Sequence, residues 1–123
     1  MPVAGLERKT NPQLVELILE LRQVAASQQS DLWSDIADRL EKPNRLWAQV
    51  NLDRLGVALQ QNEIALVPGK VLSTGTPTRG IKVAAVNFSE NARAKIQQVG
   101  GQCLTLRELA KMAPKGKGVR IVA

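Results

Sequence analysis

Histidine and tyrosine are absent from the 123-residue sequence, and cysteine occurs only once, as Cys103. The commonest general base and zinc ligand is therefore missing, and a single cysteine excludes an internal disulfide or a multi-cysteine zinc site. We interpret Cys103 as a small buried hydrophobic residue. Acid pairs such as Asp35 and Asp38 fit the solvated face of an amphipathic helix better than acid–base catalysis. The sequence predicts a protein that is not an enzyme and has no cofactor, metal or small-molecule substrate.

Long hydrophobic runs are also missing. No apolar stretch approaches the roughly 18–20 residues that a membrane-spanning helix needs. Residues 1–5 are followed almost at once by charges, unlike the start of a signal peptide. We therefore expect no membrane partner and a cytoplasmic location.

Charge is unevenly divided along the chain. Seventeen Lys and Arg residues oppose eleven Asp and Glu residues, which gives a formal net charge of +6. Residues 1–65 carry seven bases and nine acids, whereas residues 66–123 carry ten bases and two acids. A cationic half on a near-neutral support indicates a polyanionic partner, either nucleic acid or an anionic membrane. Without a membrane segment, nucleic acid is favoured.

The length and the 44% hydrophobic content suit one domain over residues 1–123, with residues 1–10 as an extended arm. After Asn11 and Pro12, which are typical of a helix start, apolar residues recur at helical spacing. This pattern predicts a helix over about residues 12–26.

A second helix is predicted from its cap at Ser30 to Pro43, which stops it. Trp33 falls on the apolar face of this helix and is interpreted as a core residue. Trp47 has two readings, since it could pack in the core or stack on an unpaired base. Packing is the favoured alternative.

The stretch that follows is ambiguous. Residues 48–52 are compatible with a short strand, whereas Asn51 also suits the cap of a short helix that ends near Gln60. Gly56 weakens the helix alternative by about 1 kcal/mol relative to alanine. Both alternatives stay open.

Strands and helices alternate from residue 64 onwards, which predicts an α/β fold with helices packed at the front. Nearly continuous apolar runs predict strands that are covered on both faces. The predicted elements are a strand over 64–67, a turn at Pro68-Gly69, a strand over 70–73, a strand over 81–88, a helix from Ser89 to Val99 that ends at Gly100-Gly101, a strand over 103–104, a helix with a Thr105–Glu108 capping box, and a closing strand over 119–122.

Bases with few nearby acids lie among the glycines of the second half. Glycine carries no Cβ and lets the backbone bend sharply or approach a partner closely. A solvated charged surface is the plain alternative, but the local lack of acids favours contact with a polyanion. Arg45 and Arg54 are weaker candidates, because nearby acids could pair with them. The candidate contacts are Arg8, Lys9, Arg45, Lys70, Arg79, Lys82, Lys115, Lys117 and Arg120.

Several segments, in order along the chain, together resemble one ribosomal family. They are KTNPQLVELI (9–18), ADRLEKP (37–43), AQVNL (48–52), VPGKVL (67–72), VAAVNFS (83–89), residues 91–101 and PKGKGVRI (114–121). Over residues 9–122 the chain resembles the archaeal and eukaryotic large-subunit ribosomal proteins of the L-eighteen-e type, relatives of bacterial ribosomal protein L-fifteen. Its short length is similar to that of the archaeal members.

The resemblance implies a core of irregular β-β-α turns wound as a superhelix and bound to large-subunit ribosomal RNA, beside neighbouring large-subunit ribosomal proteins. It implies a structural, ribosome-bound, cytoplasmic protein without catalysis. The sequence departs from the family near Asn44 and Trp47, where basic residues are common, and the tip over residues 74–79 varies. With so few aromatic residues, contact with phosphate and sugar is expected. A free-standing regulator or adaptor that binds nucleic acid or protein is the alternative.

Overall fold

The computed structural model describes residues 11–59 and 62–123. Helices and strands are labelled in chain order. The elements are α1 (Pro12–Gln28), α2 (Asp31–Glu41), a 3-10 helix (Asn44–Leu46), β1 (Ala48–Asn51), α3 (Leu52–Ala58), β2 (Ile64–Leu72), β3 (Lys82–Phe88), α4 (Glu90–Gln98), β4 (Gln102–Leu104), α5 (Leu106–Met112) and β5 (Val119–Ile121). The predicted α/β class is confirmed, and the succession β2, β3, α4 is a β-β-α unit.

The helix starts predicted from capping residues are confirmed. The Asn11 side-chain oxygen accepts the backbone N–H of Gln13, two residues on (3.0 Å), and the Ser30 hydroxyl oxygen accepts the backbone N–H of Trp33 at the start of α2. Ser89 caps α4, and Thr105 with Glu108 forms both bonds of a capping box at α5. These bonds satisfy backbone N–H groups that have no partner within the helix.

The end of α1 differs from the prediction, because the helix continues through Gln28. Gln29 then takes a left-handed conformation (φ 51°) and ends the helix. The connection to α2 is thus shorter than the predicted polar stretch.

The sheet is parallel at every pair of strands in the described residues. Its order is β1-β2-β3-β4, and β5 also pairs with β2. β3 follows one edge of β2 along most of its length. On the other edge, β5 pairs with Ile64–Leu66 and β1 pairs with residues 69–72, so these two strands lie end to end.

The predicted turn at Pro68-Gly69 is wrong, because β2 runs without a break through both residues. Between Val67 and Lys70 the pairing with β3 shifts by one residue, which marks a β-bulge. A bulge tolerates proline, since one residue there is left out of the ladder. Gly69 is needed for a second reason: a Cβ on it would lie 2.0 Å from the carbonyl oxygen of Ala48 on β1.

Both alternatives for the stretch after residue 47 prove partly right. β1 covers Ala48–Asn51, and α3 starts at the next residue. Asn51 occupies the cap position of α3 but forms no side-chain cap bond. Its side-chain oxygen instead accepts the backbone N–H of Thr74 (3.3 Å), and so ties β1 to the segment after β2.

The sheet separates two hydrophobic clusters. One lies between the sheet and α1, α2 and α5, and contains the fully buried Trp33. The other lies on the side of α3 and α4 and contains Val50, Val83 and Ile96. The predicted cover of the central strands on both faces is therefore confirmed.

The remaining single residues fit this architecture. Trp47 is half-buried, packs against the first cluster and donates its indole N–H to the carbonyl oxygen of Lys42 (3.1 Å), as the packing alternative requires. Cys103 is half-buried rather than buried, and burial raises the pKa of its thiol above the ordinary value, although Arg93 opposes the shift.

Within the described ranges, no helix combines the length and the apolar character needed to cross a bilayer.

Candidate nucleic-acid interface

Basic side chains collect where the parallel strands begin. Lys82 is the first residue of β3, and Arg79 lies three residues earlier in the loop. Both line a cleft of about 520 Å³ together with Asn62, Glu63 and Gly80. Lys82 and Arg79 are exposed, and neither makes a side-chain hydrogen bond or ion pair within the described residues.

The loop before β5 comes to the same end of the sheet. The backbone N–H of Ile64 donates to the carbonyl oxygen of Gly118 (2.9 Å), which places Lys117 beside the start of β2. Lys115 lies in the same loop, and both lysines are exposed. We call the group Arg79, Lys82, Lys115, Lys117 and Arg120 the amino-end surface.

Arg120 differs from the other members of this surface. Its guanidinium donates to the carboxylate of Glu63 (2.9 Å), a hydrogen bond that raises the pKa of Arg120 above its ordinary value. Part of its charge is therefore already neutralised inside the protein. A phosphate at Arg120 would face a guanidinium that is already paired with the carboxylate of Glu63. A phosphate at Arg79 or Lys82 would face an unpaired positive charge.

The basic loop at residues 113–118 is held by α2. The indole N–H of Trp33 donates to the carbonyl oxygen of Ala113 (3.0 Å), where the loop begins. Gly116 has a φ of 77°, and a Cβ on it would lie 3.0 Å from the Cβ of Leu32. The amino end of α2 therefore determines the path of the two loop lysines.

Lys70 lies apart from the amino-end surface. It pairs in register with Gln49 on β1 and with Asn87 on β3, and all three side chains are exposed. Asn87 is five positions beyond Lys82 on β3, about 17 Å at roughly 3.3 Å per residue. Lys70 thus forms the centre of a second, polar surface towards the carboxyl ends of the strands.

The other predicted contacts are not brought to these surfaces by any observed bond. Arg45 is exposed on the 3-10 helix Asn44–Leu46. The weaker candidate Arg54 donates to the carbonyl oxygen of Ala123 (3.0 Å). Arg8 and Lys9 lie outside the described residues.

Most ion pairs in the described residues involve α1 or α2. In α1 and α2, Arg22 bridges Asp38 (2.9 Å) and Glu41, and Arg39 pairs with Asp35 (3.3 Å). The remaining described pairs join Arg107 to Glu20 and Arg120 to Glu63. The exposed cations without a side-chain partner in residues 11–59 and 62–123 include Arg45, Lys70, Arg79, Lys82, Lys111, Lys115 and Lys117.

Sequence reasoning missed two basic residues on α4. The guanidinium carbon of Arg93 lies 5.1 Å from the ring centroid of Phe88, a cation–π geometry. Lys95 donates to two backbone carbonyl oxygens, those of Ser73 (2.8 Å) and Gly75 (3.3 Å). The charge count of the second half includes both, but only the structure distinguishes them from the exposed lysines.

The sequence of the chain matches a known family along nearly its whole length. The family model described as "Ribosomal protein 60S L18 and 50S L18e" matches residues 6–123. The protein named large ribosomal subunit protein eL18 of Methanoregula boonei is 46% identical over 114 residues, which cover 93% of this chain and 94% of that protein. The protein of the same name from Archaeoglobus fulgidus is 46% identical over 115 residues, covering 94% and 98%. That of Halobacterium salinarum is 42% identical over 114 residues, covering 93% and 97%.

Proposed function

The chain belongs to the family of ribosomal proteins 60S L18 and 50S L18e, and from this premise we propose that it is a structural protein of the large ribosomal subunit in the cytoplasm. It binds large-subunit ribosomal RNA with the amino-end surface and with Lys70. As a member of a structural family, it is not an enzyme.

One observation carries the assignment of the RNA-binding side. Arg79, Lys82, Lys115 and Lys117 are exposed and have no acidic partner in the described residues, whereas the two cations of α1 and α2 are both paired. Unpaired, exposed cations are the groups that phosphates can engage without first breaking a bond in the protein.

Phosphate is the expected point of contact rather than the base edges. The chain has two Trp, one Phe and no Tyr. Of the two tryptophans, Trp33 is buried, and the indole N–H of Trp47 is bonded within the protein. Recognition therefore rests on the shape and charge of folded RNA.

Open space next to two glycines supports a close approach of RNA. Gly80 and Gly118 have positive φ angles, and apart from the glycine and its two chain neighbours no heavy atom of the described residues lies within 4 Å of the position of a Cβ on either residue. A sugar–phosphate chain can therefore pass near the backbone between Arg79 and Lys82, and beside Lys117. Each phosphate that is neutralised releases counterions, so the affinity falls with increasing salt.

The helices α1 and α2 form a second side of the protein, which adjoins the proposed contact where the amino end of α2 packs against Gly116. Their two bases are paired with acids, the six acids of these helices leave a net charge of −4, and Leu19 on α1 is an exposed hydrophobic residue. We assign this side to solvent and to neighbouring proteins of the large subunit.

The experiment is sucrose-gradient fractionation of a lysate at low and moderate salt, with detection of this chain. We expect it in the large-subunit and ribosome fractions at both salt concentrations, in roughly the same amount as other large-subunit proteins. A peak among the free proteins at both salts would contradict a ribosomal role. It would favour the alternative of a free-standing regulator or adaptor that binds nucleic acid or protein.

A further inference from the structure

Helix α4 contacts both ends of the loop that joins β2 to β3. At the first end, the ammonium group of Lys95 donates to the carbonyl oxygens of Ser73 (2.8 Å) and Gly75 (3.3 Å). At the other end, the carbonyl oxygen of Val99 accepts the backbone N–H of Gly80 (2.8 Å). A side chain of α4 and the carbonyl group of its C-cap residue Val99 thus hold the two ends of the loop.

The first part of this loop is also bonded on its other side. The backbone N–H of Thr74 donates to the side-chain oxygen of Asn51, and its carbonyl oxygen accepts the backbone N–H of Asp53 (3.2 Å). Gly75 packs so tightly that a Cβ on it would lie 2.5 Å from the Cβ of Asp53. The turn is thus enclosed by β1 and α3 on one side and by Lys95 on the other.

The second part of the loop presents Arg79. Pro77 is buried, and the hydroxyl of Thr78 would lie 2.4 Å from a Cβ on Gly56 of α3. The backbone N–H of Ile81 donates to the carbonyl oxygen of Thr78 (3.2 Å), which closes a turn around Arg79. Contacts with α3, α4 and β1 therefore hold this loop in its conformation.

Lys95 and Arg79 have different roles in this arrangement. Lys95 is half-buried, and two of its three N–H donors are used by backbone carbonyls. Arg79 is exposed and makes no bond to another described residue. We propose that Lys95 is a positioning residue, which holds the Ser73–Gly75 turn so that the loop presents Arg79 to RNA in a fixed geometry.

This inference rests on the proposed function for its effect on RNA, but the contact itself can be tested in the free protein. In Lys95→Met the aliphatic stem remains and the bonds to Ser73 and Gly75 are lost. We expect amide hydrogen exchange across residues 73–81 to become at least about tenfold faster, since local opening is then less costly. Unchanged exchange in this loop would overturn the proposal, whether or not the protein binds RNA.

The second measurement is a double-mutant cycle on the affinity for transcribed large-subunit ribosomal RNA, refolded with Mg²⁺. We expect Lys95→Met to weaken binding about fivefold to tenfold in the wild-type background and less than about twofold in Arg79→Gln, because the two residues act as one unit. Equal losses in both backgrounds would show that Lys95 acts independently of Arg79 and would overturn the proposal. No loss in either background would overturn it as well.

Two further variants serve as controls in the cycle. Lys111→Met removes an exposed lysine of the same chemistry on α5, in a cleft with Glu16 and Glu20, and it should change the affinity by less than about twofold in both backgrounds. Lys95→Arg keeps the charge and the donors and should restore most of the binding. If the wild-type chain fails to bind RNA, the proposed function fails, whereas the hydrogen-exchange result still decides the role of Lys95 in the loop.

Discussion

The front helices and the amino-end surface use similar residues for opposite purposes. In α1 and α2, Arg22 and Arg39 lie against carboxylates of the same helical layer. At the amino-end surface, Arg79 and Lys82 point to solvent without an acidic partner in residues 11–59 and 62–123. The comparison teaches that the number of bases in a segment is a poor guide to RNA contact. Under the proposed function, the acids within reach of each base decide whether it is available to RNA.

The comparison is tested most strongly by removing charge from the amino-end surface. For Arg79→Gln combined with Lys82→Gln, we expect the affinity for large-subunit ribosomal RNA to fall about a hundredfold at roughly 0.1 M salt, because each lost phosphate contact forfeits the release of nearly one counterion. The slope of log affinity against log salt should decrease in magnitude by roughly 1.5 to 2. Filter binding over a salt series measures both quantities.

The matched control carries the same change of charge on the paired side. Arg39→Gln combined with Arg107→Gln removes two charges that carboxylates already neutralise. Its affinity and salt slope should remain close to those of the wild-type chain. Equal losses in the two double variants would show that RNA responds only to net charge, and the distinction between the two regions would fail.

For Arg22→Met we expect a loss of stability without a loss of RNA affinity. Arg22 joins α1 to α2 through Asp38 and Glu41. Burial lowers the pKa of its guanidinium, but the bonds to Glu41 and Asp38 together raise that pKa above the ordinary value. We expect the free energy of unfolding to fall by about 1–2 kcal/mol, because the half-buried Glu41 loses its partner. Urea denaturation measures this loss. RNA affinity should not change, and a large loss of affinity would place α1 and α2 on the RNA side.

A smaller effect is expected for Trp33→Phe, which sharpens the comparison by linking the two regions. The substitution keeps an aromatic ring in the core but removes the indole N–H that binds the carbonyl oxygen of Ala113. We expect a loss of about 1 kcal/mol in the free energy of unfolding. Amide exchange at residues 113–118 should also become faster, and exchange at the rates of the wild-type chain would show that Trp33 does not hold the loop.

The smallest effect is expected for Arg39→Gln alone. Arg39 and Asp35 form an exposed pair one helical turn apart, and such pairs contribute less than about 0.5 kcal/mol. Thermal unfolding at low and high salt should therefore give nearly the same midpoint for the variant and the wild-type chain. A loss several times larger would mean that this pair supports the α1–α2 contact after all.

Local sequence signals predicted much of the fold. The caps at Asn11, Ser30 and Ser89 are formed by side chains that bond within three residues, so a short window contains all of the relevant chemistry. Buried strands were recognised for a similar reason, because β-structure covered on both faces needs a continuous apolar run.

The failures have two causes, packing between distant segments at Pro68-Gly69 and an uncommon local backbone conformation at Gln29. Pro68 and Gly69 have the composition of a turn, but β1 packs against Gly69 and a bulge accommodates Pro68, so the strand continues. The α1 helix continues past its predicted end and stops where Gln29 adopts a left-handed conformation. Glutamine is not a typical residue for that conformation, so the sequence does not indicate this stop.

The candidate site was predicted to the level of segments rather than individual residues. Lys95 and Arg79 are both bases of the glycine-rich half, and no local pattern shows that one bonds to Ser73 while the other is exposed. Arg120 was predicted as an RNA contact and remains a candidate. Its ion pair with Glu63 arises from strand pairing across more than fifty residues, which the sequence alone does not reveal.

The shared edge of β2 has a consequence for the order in which the protein folds. The carboxyl half of that edge is covered by β1, whose residues pair with partners 21 positions further along the chain (48 with 69), whereas the amino half is covered by β5, whose residues pair with partners 55 positions earlier (119 with 64). Contacts between distant segments form slowly, because a long loop must close first. Until β5 arrives, the residues at 64–66 keep an unpaired edge of the kind that invites aggregation. During synthesis, the amino half of β2 therefore has an unpaired edge until β5 forms. Pairing of β5 with β2 covers this edge and, in the same step, brings Lys117 and Arg120 to the amino-end surface.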